Sequence, residues 1–531
     1  MAKFNIFRAR PAGTSPVATA PEPTGLTHER GDGYARDTKS ELFLLAVSNM
    51  GGEDTFYESG RKRDNRFAAL VHAAALADPE WTARLLKWLR SEANMRTASL
   101  VGAAEFVLAR LVAESDAGVT NRAVVDSVLQ RADEPGELLA YWTAQNGRRV
   151  PKPIKRGISD AVRRLYDERA VLKWDSDARG YRMADVLNLA HPSPAAPWQG
   201  ELFQYVLDRR RSPDTEVPEA LRVVAARREL MAWPVEQRRA LFSRPDAADV
   251  LRRAGMTWEA VAGWLQGPLT REVWEALAPS MGYMSLLRNL RNFDEAGLSD
   301  EAAALVAARL ADPGQVARSR QFPFRFLSAY EAAPSLRWGH ALDQALQASL
   351  ANLPALPGRS LVLIDTSASM SGGAISARSK VTPAKAAAVF GVALGAKGEQ
   401  VDVVGFADGT FRHDVPRGAS VIREVDRFLR RIGEVGHGTD IVGSLRRSYR
   451  RHDRVFIISD MQTMSGYYGK GVSDVVPAHV PIYGFNLGGY EHAAYATGKA
   501  NRHEFGGLTD ATFKAIPLLE AGMFAQWPWE P

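Results

Sequence analysis

From Thr38 to about Leu353, apolar residues recur at i, i+3 and i+4, in runs separated by Gly, Pro or Asp clusters. Residues 41–47, 81–89, 100–111 and 302–310 show the spacing most clearly. Strand-like alternation is scarce here, so the pattern predicts many short antiparallel helices, each pair burying its apolar face on its neighbours. No fixed sequence period runs through them, and the expected array is a degenerate HEAT-like solenoid.

The texture changes at Pro354-Ala355-Leu356-Pro357-Gly358. Apolar, β-branched runs at 360–364, 401–406, 454–458 and 481–485 now alternate with helical segments near 383–397, 421–431 and 440–451. Strands that are apolar on both faces and joined by helices predict a parallel sheet covered on two sides, a doubly wound Rossmann-like α/β fold. The expected organisation is a disordered tail over residues 1–34, rich in Pro, Ala, Thr and Gly, an all-α array over 35–355 and an α/β domain over 356–531. Arg30-Gly31-Asp32 within the tail is read as a chance three-letter match.

In a doubly wound sheet, ligands bind beyond the carboxyl ends of the strands. Asp365-Thr366-Ser367-Ala368-Ser369 lies at that edge of the first strand, and Asp460 at the same edge of the strand 454–458. Gly436-His437-Gly438-Thr439-Asp440 forms a glycine-rich loop that opens a helix. Carboxylates and hydroxyls are hard oxygen ligands, suited to Mg²⁺ or a similar divalent cation that keeps a coordination position for an outside group. The bland alternative makes Asp365 and Asp460 helix caps and Ser367 and Ser369 turn residues. Nucleophilic catalysis fits less well, because the serines lack a glycine-flanked elbow and no Walker loop or paired-His zinc motif is present. An Asp365 phosphotransferase would want a second carboxylate where Ser367 stands. The site is built to grip an acid, and no enzymatic activity is expected.

The chain has no cysteine, which excludes disulfides, thiolate zinc sites and a Cys nucleophile. No apolar run approaches the ~18 residues of a membrane span, so a soluble protein is expected, and the lack of cysteine suits a reducing cytoplasm; a ring closed within one chain would make it a monomer. Charge adds a second signal. Between Arg148 and Arg182 there are eleven basic and five acidic residues, a surplus of six that equals the formal net charge of the whole chain, +6. A helix following Pro153 places Lys155, Arg156, Ser159 and Arg163 on one broad face, a track for a phosphate backbone or else a solvated helical face. Tyr141, Trp142, Tyr166 and Trp174 supply rings nearby that are either base-stacking platforms or core.

The pattern Asp-x-Ser-x-Ser, then Thr after Gly, then a strand-ending Asp resembles the metal-ion-dependent adhesion site of the von Willebrand factor A family. The resemblance implies direct metal ligation by Ser367 and Ser369, direct or exchangeable ligation by Thr439, and ligation by Asp365 and Asp460 directly or through water. His437 stands where many members have Gly.

The helical half resembles the TROVE module of the Ro 60 kDa autoantigen and bacterial Ro-like proteins, in residues 51–57, 152–164, 185–194 and 285–293. A TROVE module followed by an A domain is the Ro architecture. It implies a ring of HEAT-like helices closed by the A domain, binding small structured noncoding (Y-like) RNA on its outer surface and single-stranded RNA ends in its hole. Lys155, Arg156, Arg163 and Arg164 match the family's basic RNA-facing helix, with Arg148, Arg149 and Lys152 in the same basic segment. Arg291 and Asn292 lie in the matched 285–293 segment, and Met183 stands where animal members carry His. The expected function is non-catalytic RNA quality control or maturation, with a nuclease or RNA-repair enzyme as partner and an acidic protein ligand at the metal. The alternative is a protein-interaction scaffold whose A domain binds a partner's acid through Mg²⁺, without RNA.

Overall fold

The computed structural model describes residues 12–48, 52–176, 180–375, 379–466 and 471–530. Asp177 and Arg179 of the basic segment, and Gly51 of the 51–57 motif, lie outside them. The helical half begins with α1 (Thr38–Ser48), α2 (Gly60–Ala77), α3 (Pro79–Ser91), α4 (Arg96–Val112), α5 (Asn121–Val128), α6 (Glu134–Asn146) and α7 (Lys152–Leu165), and continues as short helices to Ser349. Polar caps start several of them. Asp78 accepts the Trp81 N–H at 3.0 Å and opens α3, and the Thr120 hydroxyl accepts the Ala123 N–H at 3.2 Å and opens α5. No helix among the described residues is long and apolar enough to cross a membrane.

The strands include more than the apolar runs predict, but their order is simple. β1 (Gly25–Leu26) and β2 (Asp32–Ala35) precede α1; β3 (Arg359–Asp365), β4 (Gln400–Phe406), β5 (Thr410–His413), β6 (Arg454–Ser459), β7 (Ile482–Asn486), β8 (His492–Ala493) and β9 (Arg502–Gly506) follow the array. The main sheet runs β5-β4-β3-β6-β7-β9, parallel except for the β4–β5 hairpin. The chain passes from β3 to β4 on one side and then to β6 on the other, so the switch point lies between β3 and β6. Val362, Ile364, Phe456 and Ile458 face a core continuous with that of the helical half, while Leu361, Leu363, Val455 and Ile457 face a second core with the helix Ile441–Ser448.

The helical array returns to its own beginning through this domain. At one joint α2 is held by Arg63, which donates to the Gly488 carbonyl at 2.8 Å. At the other, Lys385 pairs with Glu331, and Ser420 donates to Asp343 at 2.8 Å. Trp527 and Trp529, stacked at 5.5 Å, close against Phe43, Trp81 and Trp88 of the first helices. A shorter contact also crosses within the array, where Asn94 donates to the Arg320 carbonyl at 2.9 Å and Arg320 to Gln130 at 3.1 Å.

The described part of the expected N-terminal tail is ordered instead. β2 pairs antiparallel with β8, and the Arg36 guanidinium makes a buried bidentate ion pair with Glu504 at 2.7 and 2.9 Å. The reason is that Pro- and Gly-rich residues cannot build a core of their own, but they can offset ordering entropy with hydrogen bonds to an edge that another domain supplies. Arg30-Gly31-Asp32 belongs to this docked segment: the Gly31 N–H donates to the Thr463 carbonyl at 3.1 Å. Arg36→Ala leaves Glu504 buried and unpaired, and is expected to cost about 3–5 kcal/mol and open residues 12–36 to protease. Denaturant unfolding and limited proteolysis of the full chain check this.

Candidate metal centre and nucleic-acid interface

The three predicted segments meet at the switch point. β3 ends at Asp365 and β6 at Ser459, directly before Asp460, so the register of two adjacent parallel strands brings the carboxylates to one edge. The Asp365 carboxylate accepts the Ser367 N–H at 2.8 Å and the Ser459 hydroxyl at 2.5 Å. Ser367 and Ser369 hydroxyls lie 3.2 Å apart. The Gln462 N–H donates to one Asp460 oxygen at 3.1 Å.

The third segment is tied in by the backbone: the Ala368 N–H donates to the His437 carbonyl at 2.8 Å. Asp408, which sequence reasoning missed, accepts the His437 and Gly438 N–H groups at 2.9 and 3.2 Å. Gly436 has φ +93°, and a Cβ there would fall 2.1 Å from the Asp408 carboxylate, so this loop needs glycine at 436 but accommodates His at 437. The helix cap here is Asp440, which accepts the Gly443 N–H at 2.7 Å, and not Asp365 or Asp460.

Asp365, Ser367, Ser369, Thr439 and Asp460 are all buried. The second Asp460 oxygen and the Thr439 hydroxyl have no hydrogen-bond partner among the described residues. Burial raises the pKa of both carboxyls, and for Asp460 the charge of Asp365 raises it further. Two buried carboxylates, one with an orphaned oxygen, and neighbouring hydroxyls make a donor set that fits a hard divalent cation. Such a cation would neutralise the pair and leave a position for an acidic group.

Two stretches of the N-terminal half border this edge, and neither was legible as part of it. Glu53, Asp54, Thr55 and Phe56 line a cleft with Ser369 and Asp460. The Tyr57 hydroxyl donates to Glu29 at 2.5 Å; burial, then the Glu29 bond, pushes its pKa up and keeps it protonated.

The predicted basic track lies on α7. Ile154, Gly157, Ile158, Ala161 and Val162 form its buried stripe. A Cβ at Gly157 would lie 2.6 Å from Val125, so α7 sits almost in backbone contact with α5. Lys152, Arg156 and Arg163 are exposed on the opposite face with half-buried Lys155, and Arg148 and Arg149 are exposed just before the helix. Among the described residues none of these six cations is ion-paired, whereas Asp160 is taken by Arg122 at 2.5 Å.

The other candidate residues have partners within the fold. Arg164 is a fastener: it donates to the Leu129 carbonyl at 3.0 Å and to Asp126 at 2.7 Å, locking α7 to α5. Arg291 pairs with Glu295 at 3.5 Å, and Asn292 donates to Asn289 at 2.7 Å, on a helix (Tyr283–Glu295) that packs on 300–311, 313–319 and 324–332. Trp142 and Tyr166 are core, and Tyr141 donates to Glu105 at 2.7 Å. Trp174 alone of the four rings carries cations on its faces, Arg131 at 4.5 Å and Lys173 at 4.8 Å. His191 ends the helix Met183–Ala190 with φ +46°, as expected before Pro192.

A second basic feature had no sequence signal because its parts are far apart in the chain. Lys173, Tyr283, Ser285, Gln315, Arg318 and Gln321 line an open cavity of about 430 Å³. Lys173 and Ser285 also border a neighbouring cavity of about 200 Å³ with Arg169 and Arg252.

Residues 251–337 match the TROVE domain model. The chain is 26% identical over 380 residues to the RNA-binding protein RO60 of Deinococcus radiodurans, covering 67% of this chain and 68% of that protein. The chain thus carries a TROVE match and is similar to a Ro-like protein. A crystal structure of the Deinococcus radiodurans RO (RSR) protein shares its fold, with a TM-score of 0.59 and 17% identity over 90% of this chain and 99% of that chain. A shorter likeness, 42% over 66 residues, links it to telomerase protein component 1 of Mus musculus, covering 12% of this chain and 2% of that one. The architecture is a helical array joined to a von Willebrand factor A-like sheet domain.

Because the pKa values of Asp365 and Asp460 are raised, the charged pair destabilises the cation-free fold above the folded values, and the penalty fades as pH falls toward the unfolded value of about 3.9. With chelator present, Asp460→Asn is therefore expected to stabilise the protein by about 1–2 kcal/mol at neutral pH. That advantage should shrink toward about pH 4 in thermal melts.

Proposed function

We propose that this protein is a non-catalytic RNA-binding protein that holds small structured noncoding RNA, of the Y-like class, on the α7 face and single-stranded ends of misfolded or processed RNA in the basic cavity of the array. The observation that carries the reading is the row of unpaired cations Arg148, Arg149, Lys152, Lys155, Arg156 and Arg163 on one solvent face. Phosphate backbones reward such a row by releasing counterions, and the row has no structural task within the described fold. The name of the RO60 relative supports the same ligand. Quality control or maturation of RNA, in the cytoplasm and with a nuclease or repair enzyme as partner, is the biological setting that this binding fits.

The cavity around Lys173 and Arg318 offers cations beside Tyr283, groups that suit the phosphates and bases of an unpaired strand. Asp365, Ser367, Ser369, Thr439 and Asp460 would hold Mg²⁺, which binds an acidic side chain when present. Nothing in that donor set positions a water or a leaving group against RNA, so RNA is expected to survive incubation with Mg²⁺.

The triple charge reversal Lys155→Glu, Arg156→Glu, Arg163→Glu is expected to weaken binding of a hairpin RNA by about 10-fold or more at moderate salt. It should also lower the salt slope by about 1 for each phosphate that the helix no longer neutralises. Filter binding across a salt series reads both, and unchanged affinity would leave the scaffold reading, in which the A domain grips a partner's acid without RNA. Lys173→Glu with Arg318→Glu is expected to weaken only hairpins that carry a single-stranded 3′ tail, with blunt hairpins unaffected in the same assay.

A further inference from the structure

We propose that Trp198 is a base-stacking residue at the end of the α7 surface, taking the face of an unpaired RNA base while the cationic row holds phosphates. The inference rests on the RNA reading of that row given above, and it adds what the row lacks, a group that meets bases.

Tryptophan is the largest side chain, and a fold ordinarily covers most of it. Eleven of the twelve tryptophans of this chain are buried or half-buried; Trp198 alone is exposed, at 41%. Among the described residues it belongs to neither hydrophobic core. Its ring therefore has no packing task in the fold.

The ring is nevertheless held in place. It sits at the second position of the helix Pro197–Arg211, which opens on a proline and is approached through Pro192-Ser193-Pro194, so few backbone conformations are open to this stretch. The next residue, buried Gln199, fastens the helix start. Its side-chain carbonyl accepts the Ala195 N–H at 2.7 Å, and its amide donates to the Arg163 and Tyr166 carbonyls at 3.0 Å each. Tyr166 also meets Phe203 of the same helix edge-on at 6.4 Å. Arg163 is the last cation of the α7 row, so Gln199 ties the start of the Trp198 helix to the end of that row.

The surroundings favour a base over a phosphate. From Met183 to Asp208 the chain has no lysine or arginine, and Glu201, one turn after Trp198, is exposed. A phosphate gains nothing here, whereas every base offers a π-face to an indole ring, whatever the sequence. A base inside an A-form stem is already stacked on its neighbours, so the base that reaches Trp198 is an unpaired one beside a stem whose backbone lies on the row.

Binding of two annealed RNAs to the full-length protein tests this: an uninterrupted duplex, and the same duplex with an internal loop of adenosines. Trp198→Ala is expected to weaken the looped RNA by about 10-fold and to leave the uninterrupted duplex unchanged. Trp198→Phe should keep most of the affinity and Trp198→Leu should not, because the contact is a π-face and not apolar area alone. Abasic nucleotides in the loop, which keep its phosphates, should weaken the wild type by the same factor and weaken Trp198→Ala no further. The salt slope should be equal in wild type and Trp198→Ala, since no phosphate contact is lost. Equal binding of the looped RNA by Trp198→Ala and wild type, or full recovery in Trp198→Leu, overturns Trp198 as a stacking residue while charge reversal of Lys155, Arg156 and Arg163 still weakens both RNAs. If that reversal leaves both RNAs bound as before, the reading of the α7 row fails and the inference falls with it.

Discussion

Closure of a curved helical array on a sheet domain is the constraint from which the other features follow. An open array would expose the apolar faces of its end helices, and this chain covers both ends with one domain: α1 to α3 take the Trp527–Trp529 pair and the edge at Gly488, while the helices near 324–349 take the helix 383–397. One face of the sheet shares its core with the array. The A-like domain is therefore structural keystone and candidate binding site at once, and the carboxyl edge of its strands lies close to the first joint.

That proximity explains why the candidate metal centre borders the other half. Asp365 and Asp460 come from the sheet, as the fold class dictates, but Glu53, Asp54, Thr55 and Phe56, which line the cleft beside Ser369 and Asp460, follow α1. Ordering the N-terminal segment costs backbone entropy, which the Arg36–Glu504 pair and β-addition to β8 offset. The proposed RNA surface is placed differently, on α7, where a glycine lets the helix sink against α5 and turns its cationic side outward.

What could be read in the sequence divides by how local its cause is. β3 and β6 are apolar on both faces, and their alternation with helices is visible without any partner. β9 was not legible, because Arg502, His503 and Glu504 look like a loop until the Val476 and Val480 carbonyls and Arg36 are in place to satisfy them. β5 is a short, polar-alternating edge strand. The five predicted metal residues converge because strand ends and a loop motif fix them, whereas Asp408 and Ser459 depend on contacts across the fold. On α7 the helical period separated solvent from core, but it could not distinguish a free cation from Arg164, whose partner Asp126 belongs to another helix.

The stacked Trp527 and Trp529 also set an order in time. Synthesis proceeds from the N-terminus, so Phe43, Trp81 and Trp88 are made several hundred residues before the rings that cover them. Until Trp527 and Trp529 have been made, the first helices hold an aromatic surface without these rings, and any other apolar surface within reach competes for it.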